Sequence, residues 1–230
     1  MLKPRTPRRC NSLVGSTSES MLARQGFERM TLALGERLVR FGEVPTYVYF
    51  PIESVISIVS STDAGQSVEV AAVGNEGIAA RVGAAASGAS PVDLLVQVEG
   101  SAFRLDGRRL RDRIERSPTF RRRWIEYLDT LVAQIAQTAV CNRYHTAPRR
   151  LARWLLTVAD RARADTIPLT HEFAAILVGG DRPRVSFALR QLRDRHLVEH
   201  RRGRVTILDR ARLTAFSCEC YLRLANASRR

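Results

Sequence analysis

Between residues 37 and 105 apolar and polar positions alternate over short stretches, 37–41, 46–50, 55–60, 67–73, 94–98 and 101–105, and this period of two predicts strands. Gly42, Asp63-Ala64-Gly65 and a tract of small residues from 83 to 91 separate them, so a small antiparallel roll is expected. Beyond Pro118, which is tolerated in a helix's first turn, the period lengthens. Trp124, Leu128, Leu131, Ile135 and Thr138 recur at spacings of four and three, the pattern of a coiled-coil seam on one helix reaching about residue 142. Phe120, Ile125, Tyr127, Val132, Ala136 and Ala139 widen that stripe, which predicts that the same helix also packs on its own roll. A second amphipathic helix over 148–163 carries Leu151, Trp154, Leu155 and Val158 on one side, with Arg149, Arg150, Arg153, Arg161 and Arg163 on the others. A last helical run, 213–224, turns Phe216, Cys220 and Leu224 inward.

Residues 169–210 hold the most specific pattern. Thr170 is a good N-cap for a short helix whose buried face is Phe173, Ala174, Ile176 and Leu177. Gly179 and Gly180 stop it, Asp181 can cap the next, and Pro183 falls where a helix has no N–H to lose. The second helix starts at about Arg182 and buries Val185, Ala188, Leu189 and Leu192. That leaves Arg182, Arg184, Ser186, Phe187, Arg190 and Arg193 on or near its other face. After Leu197 alternation returns in Val198, Val205 and Ile207 around Arg201-Arg202-Gly203-Arg204, a hairpin with a basic tip. The order is that of a winged helix-turn-helix, whose second helix enters the major groove while the wing meets the backbone.

Charge agrees with a polyanionic partner. The 230 residues carry a net charge of +14, and all basic residues but Lys3 are arginine. Coding bias accounts for much of the arginine, but not for the eight between Arg182 and Arg204. Residues 1–20, rich in Pro, Ser, Thr and basic residues, are expected to be a disordered basic N-terminus; they lack a secretory core, and no later run is long enough for a bilayer. A cytoplasmic protein with no membrane partner is therefore expected. Cys10, Cys141, Cys218 and Cys220 are scattered, and 218 and 220 fall on different faces of an expected helix, so neither a metal site nor a disulfide framework is anticipated. His145, His171, His196 and His200 all lie outside the roll, and no nucleophile elbow or phosphate-cradling glycine loop is present, so no catalytic residue is assigned.

From about Thr31 the chain resembles the Crp/Fnr superfamily of bacterial transcription regulators. The resemblance rests on residues 47–51, 54–59, 67–70 and 74–77 in the roll, and on Cys141-Asn142-Arg143-Tyr144-His145, Arg150 to Leu156 and Cys218-Glu219-Cys220-Tyr221 beyond it, covering about four fifths of the chain together with the reader. The implied fold is α+β: an N-terminal antiparallel β-roll of the cyclic-nucleotide-binding-like jelly-roll type over 21–115, a long dimerisation helix over 116–144, and a C-terminal winged helix-turn-helix over 145–230.

Cyclic-nucleotide-binding relatives hold the ligand phosphate with a Gly-Glu pair and an arginine beside a small residue. Here Val92 and Asp93 stand at the latter two places, and an aspartate repels phosphate, so cyclic AMP is not expected. Arg81 is the loop's one substitute cation. Family members with an iron–sulfur cluster use several clustered N-terminal cysteines, and only Cys10 lies there; neither that cluster nor haem is expected, and the effector is left unknown.

The resemblance puts Arg182 at the guanine-reading position, with Arg184, Ser186 and Phe187 as further base contacts. Thr170, Arg190, Arg201, Arg202 and Arg204 are assigned to phosphate. The family's glutamate after the first arginine is Pro183 here, and a later arginine of cyclic-AMP-responsive members is Phe187, so a different operator is expected. Duplex DNA, a second copy of the chain and RNA polymerase are the implied partners. The alternatives left open are an adaptor that does not bind DNA and a metal-independent enzyme on the roll.

Overall fold

A computed structural model describes residues 10–15, 17–80, 88–178 and 182–227. Seven strands build the roll: β1 (Glu28–Leu32), β2 (Arg37–Val39), β3 (Tyr47–Pro51), β4 (Val55–Ser61), β5 (Ser67–Val73), β6 (Asp93–Val98) and β7 (Gly100–Asp106). They form two antiparallel sheets, ordered β1-β7-β3 and β2-β6-β4-β5. Phe27, Phe50, Ile56, Ile58, Leu94, Val96, Phe103 and Leu105 fill the space between them. β1 and the short helix α1 (Glu19–Arg24), capped by the Ser18 hydroxyl, precede the first strand that alternation predicts. In β1 only Leu32 is fully buried, so the pattern is too weak to read.

The N-terminus corrects the expectation of disorder over 1–20, from Cys10 onward; residues 1–9 and 16 lie outside the described residues. Asn11 is buried and donates from Nδ2 to the carbonyls of Pro51 at 3.0 Å and Gly77 at 2.7 Å, and Leu13 and Val14 join the roll's core. One buried amide with two carbonyls to meet, followed by two apolar side chains with a core to join, can order a segment whose composition is otherwise that of a tail.

Asp106 caps α2 (Gly107–Arg116), and Ser117 caps α3 (Pro118–Tyr144) by accepting from the Phe120 N–H at 3.3 Å. α3 lies along the roll. Phe120, Trp124, Tyr127 and Leu131 belong to the roll's core, and the Tyr127 hydroxyl donates to the Ile78 carbonyl at 2.6 Å. Gly77 makes that approach possible, because a Cβ there would stand 2.1 Å from the Tyr127 ring.

This packing corrects the expected dimer seam. Trp124, Leu131 and Thr138 are buried within their own chain, while Leu128 and Ile135 are only partly covered and Ile125 and Val132 are 52% and 62% exposed. The apolar stripe is wide enough for two faces, and the bulkier residues take the roll. The free heptad face is rotated by one residue, to Ile125, Leu128, Val132, Ile135 and Ala139.

Thr146 separates α3 from α4 (Ala147–Ala162), which is buried along most of its length. Leu151, Ala152, Trp154, Leu155, Leu156, Val158 and Ala159 share one core with Val55 and Ala72 of the roll and with the C-terminal elements β8 (Thr166–Pro168), α5 (His171–Val178), α6 (Arg182–Asp194), β9 (Val198–Arg201), β10 (Arg204–Ile207) and α7 (Arg210–Phe216). A final helix, α8 (Cys220–Ala227), follows a break at residues 217–219.

One further finding and one further correction belong here. Arg150 and Arg153, which lie on sides of α4 other than that of Leu151, Trp154, Leu155 and Val158, are themselves buried, Arg150 donating to the Asn142 carbonyl and side-chain oxygens, each at 3.2 Å. The cysteines, expected to be scattered with 218 and 220 on different helical faces, are not: Cys218 lies in the break before α8, and Cys141, Cys218 and Cys220 meet in one buried cluster. Among the described residues no helix is long and apolar enough to cross a membrane.

Candidate nucleic-acid interface

The Thr170 hydroxyl accepts from the Phe173 N–H at 3.2 Å, so the expected N-cap of α5 is made, and Ala174 turns into the core. Gly179, Gly180 and Asp181 lie outside the described residues, as does the side chain of Arg182, whose backbone opens α6. α6 follows the predicted period closely. Val185, Ala188, Leu189 and Leu192 are buried; Pro183, Arg184, Arg190 and Arg193 are exposed; Ser186 is half-buried and Phe187 is 52% exposed. Phe187 thus sets a phenyl ring half in water on an arginine-bearing face.

Beside α6 stands the wing. β10 pairs antiparallel with β9, Arg204 opposite Arg201, and with β8 on its other edge, giving the order β8-β10-β9. Arg202 and Gly203 make the turn with φ of 47° and 73°, the two positive values that a twisted two-residue hairpin turn requires. The turn lifts Arg202 to the tip, with Arg201 and Arg204 exposed at its base; Arg201 also pairs with Glu199 at 2.7 Å. Of the nine residues assigned to DNA, Arg184, Phe187, Arg190, Arg201, Arg202 and Arg204 are exposed on α6 and the wing, Ser186 is partly covered, and Thr170 spends an oxygen lone pair on its cap.

Two carboxylates of the roll are paired within the chain. Asp93 pairs with Arg37 at 3.2 Å and accepts from the Phe41 N–H at 3.1 Å, and Glu76 accepts from Arg161 of α4 at 2.6 Å. Arg81 lies outside the described residues. Glu69 is buried where the roll meets α4, next to the Trp154 indole N–H at 3.1 Å and the Ser57 hydroxyl at 2.6 Å; burial pushes its carboxyl up to about 7. Ser57 also lies 3.0 Å from the Gln97 carbonyl oxygen. One hydroxyl proton serves one acceptor at a time, so Ser57 is shared between the Glu69 carboxyl and the Gln97 amide, whose Nε2 has no hydrogen-bond partner among the described residues.

The one set of metal-ligating side chains close enough to share an ion, among the described residues, is Cys141, His145, Cys218 and Cys220, whose ligand atoms all lie within 4.8 Å of one another. Sequence spacing missed it because the two halves are 77 residues apart. The usable signal was local: Cys141 and His145 stand four apart, one helical turn, so they share a face.

A family profile for the Crp-like helix-turn-helix domain matches residues 149–216. Residues 149–216 are a Crp-like helix-turn-helix domain, in a chain with the Crp/Fnr fold. FixK2 from Bradyrhizobium japonicum superposes with a TM-score of 0.70 at 16% identity, covering 84% of this chain and 98% of its own. A CRP-family transcriptional regulator from Thermus thermophilus gives 0.69 at 21% identity, covering 83% and 96%. The c-di-GMP-responsive global regulator CLP of Xanthomonas campestris gives 0.66 at 16%, covering 83% and 100%. No curated protein matches the chain. The matched residues take in nearly all of α4, both helices of the motif, the wing and α7. At its roll-facing edge, the same Crp-like domain supplies Trp154 and Arg161 to Glu69 and Glu76 of the roll.

Proposed function

We propose that this chain is a dimeric, sequence-specific DNA-binding regulator of transcription that acts in the cytoplasm and works with RNA polymerase. The observation that carries the reading is the outer face of α6, basic and bearing an exposed phenylalanine, set beside an arginine-tipped wing in a Crp-like domain. Arg182, Arg184, Ser186 and Phe187 read base edges. Arg190, Arg201, Arg202 and Arg204 hold phosphate, with Thr170 at the N-terminus of α5.

Two copies pair through Ile125, Leu128, Val132, Ile135 and Ala139, with β-branched residues at two a positions and Leu128 at a d position, a combination that favours two strands. Pairing sets two recognition helices about 34 Å apart on a palindromic operator. In this reading cyclic AMP is not the signal, because Val92 and Asp93 stand in sequence where cyclic-nucleotide-binding relatives carry an arginine and a small residue, and Asp93 is paired with Arg37. Whatever effector acts on the roll reaches the reader through α3 and α4, both of which touch the sheets directly.

Selection of bound duplexes from a random pool tests this. A palindromic consensus is expected, and Arg182→Ala should cost about 1–3 kcal/mol at one base position in each half-site. A monomer that enriches no sequence over competitor at physiological salt overturns the reading.

A further inference from the structure

The buried sulfur cluster at the junction of α3, α4 and α8 has a geometry that hydrophobic packing does not explain. Cys141 Sγ and Cys218 Sγ are 3.5 Å apart, and Cys220 Sγ and His145 Nδ1 are also 3.5 Å apart. In a tetrahedron with zinc–sulfur bonds of about 2.3 Å and a zinc–nitrogen bond of about 2.0 Å, the ligand atoms are separated by roughly 3.5–3.8 Å. The observed set has two such separations of 3.5 Å and all its ligand atoms within 4.8 Å of one another, the size that one such ion requires. Atoms this close together leave no room for the several irons and sulfides of a cluster. A disulfide between Cys141 and Cys218 would need a contact of about 2.05 Å and would strand the third thiol and the imidazole.

We propose that Cys141, His145, Cys218 and Cys220 bind a single structural zinc ion. On binding, three thiol protons leave to solvent, three thiolates and one neutral imidazole coordinate, and no electron is transferred. All four protein ligands are present, so the site is closed to substrate.

The surroundings match the charge this creates. Three thiolates around a dication carry one net negative charge. Gln137 donates from Nε2 to Cys220 Sγ at 3.0 Å, and the buried guanidinium of Arg153 stands near Cys141 with an Nε that has no hydrogen-bond partner among the described residues. His145 uses Nδ1 toward the cluster, and its Nε2 meets the Glu219 carboxylate at 3.3 Å, the orienting contact usual for a metal-bound histidine. The ligands come from the last turn and C-cap of α3 and from the break that opens α8. Zinc there ties the C-terminal tail to the hinge between the dimer helix and the reader.

Full-length protein purified under reducing conditions should contain about one zinc per chain by elemental mass spectrometry. An organomercurial should release that zinc in step with three thiols. Cobalt(II) exchanged into the site should show the intense visible bands of a tetrahedral ion together with thiolate charge-transfer absorption. His145→Ala and Cys220→Ser should lose the metal, whereas Cys10→Ser keeps it; Glu219→Gln, a positioning change at the exposed edge, should weaken zinc about tenfold in chelator competition without unfolding the chain. Because the wild-type measurements need no variant, poor folding of a cysteine substitution does not blunt the test. Zinc below about a tenth per chain after reconstitution, iron in its place, or a Cys141–Cys218 disulfide in reduced preparations overturns the proposal.

Discussion

α4 and α6 are both rich in arginine, yet the chain uses them in opposite ways. In α4 the apolar residues surround the helix, so Arg150, Arg153 and Arg161 are drawn inside with it, and Arg161 answers Glu76 of the roll. In α6 the apolar residues keep to one stripe, and Arg184, Arg190 and Arg193 remain outside. A count of basic residues does not separate the two helices. The width of the apolar face does, because a helix buried all round must satisfy its cations internally, while a one-sided helix can offer them to a polyanion.

Dimerisation gives the largest test of that contrast, since pairing doubles the face of α6 and leaves α4 unchanged. Val132→Glu, on the exposed side of α3, should yield monomers in sedimentation and lower operator affinity by about a hundredfold or more, with the thermal midpoint little altered. Retained dimers would return the seam to another surface.

The α4 side should also carry a pH signature that α6 lacks. Glu69, with a reference value of 4.5, is raised to about 7 in the fold. Its contribution to stability is complete below the unfolded value and is lost as pH rises from there through the folded one, because the unfolded chain ionises first. Urea midpoints at about pH 5 and about pH 8 should therefore show a loss of up to roughly 3 kcal/mol in the wild type that Glu69→Gln abolishes. Parallel curves would mean that the carboxylate is ionised in place.

Next in size is an exchange between the helices. Arg161→Ala removes a part-buried ion pair with Glu76, which keeps the Gly74 N–H and some solvent, and should cost about 1 kcal/mol of stability. Arg190→Ala should change stability by less than about 0.5 kcal/mol, yet weaken every duplex alike and reduce the salt dependence by about one ion. If the two substitutions traded effects, the division between a structural and a reading helix would fail.

How far the sequence reaches depends on how local each feature is. The cap at Thr170, the start of α6 at Arg182 and the hairpin around Arg201-Arg202-Gly203-Arg204 follow from neighbours a few residues apart, and the structure agrees with all of them. α3 exposes a different limit. Both Trp124-Leu131-Thr138 and Ile125-Val132-Ala139 satisfy heptad spacing, and only contact with the roll decides which one faces inward. The thiol–imidazole cluster was hidden by distance and by one wrong local inference: a continuous helix through 218–220 would part the two sulfurs, and the break after Ser217 joins them. The order of Asn11 depends on the carbonyls of Pro51 and Gly77, which no local pattern announces.

Phe187 supplies the smallest effect and the sharpest discrimination, because a phenyl ring makes neither a salt-dependent contact nor a base hydrogen bond. It stands on the outer face of α6 between Arg184 and Arg190, half exposed, where its natural counterpart in the major groove is the thymine methyl group. Phe187→Ala should therefore lower affinity by roughly 1 kcal/mol at sites carrying that thymine, with an unchanged salt slope. Replacing the same thymine by uracil, which deletes only the methyl, should cost the wild type a similar amount and the variant almost nothing. A double-mutant cycle with no coupling would show that the ring packs elsewhere, and would leave arginine alone to explain what α6 reads.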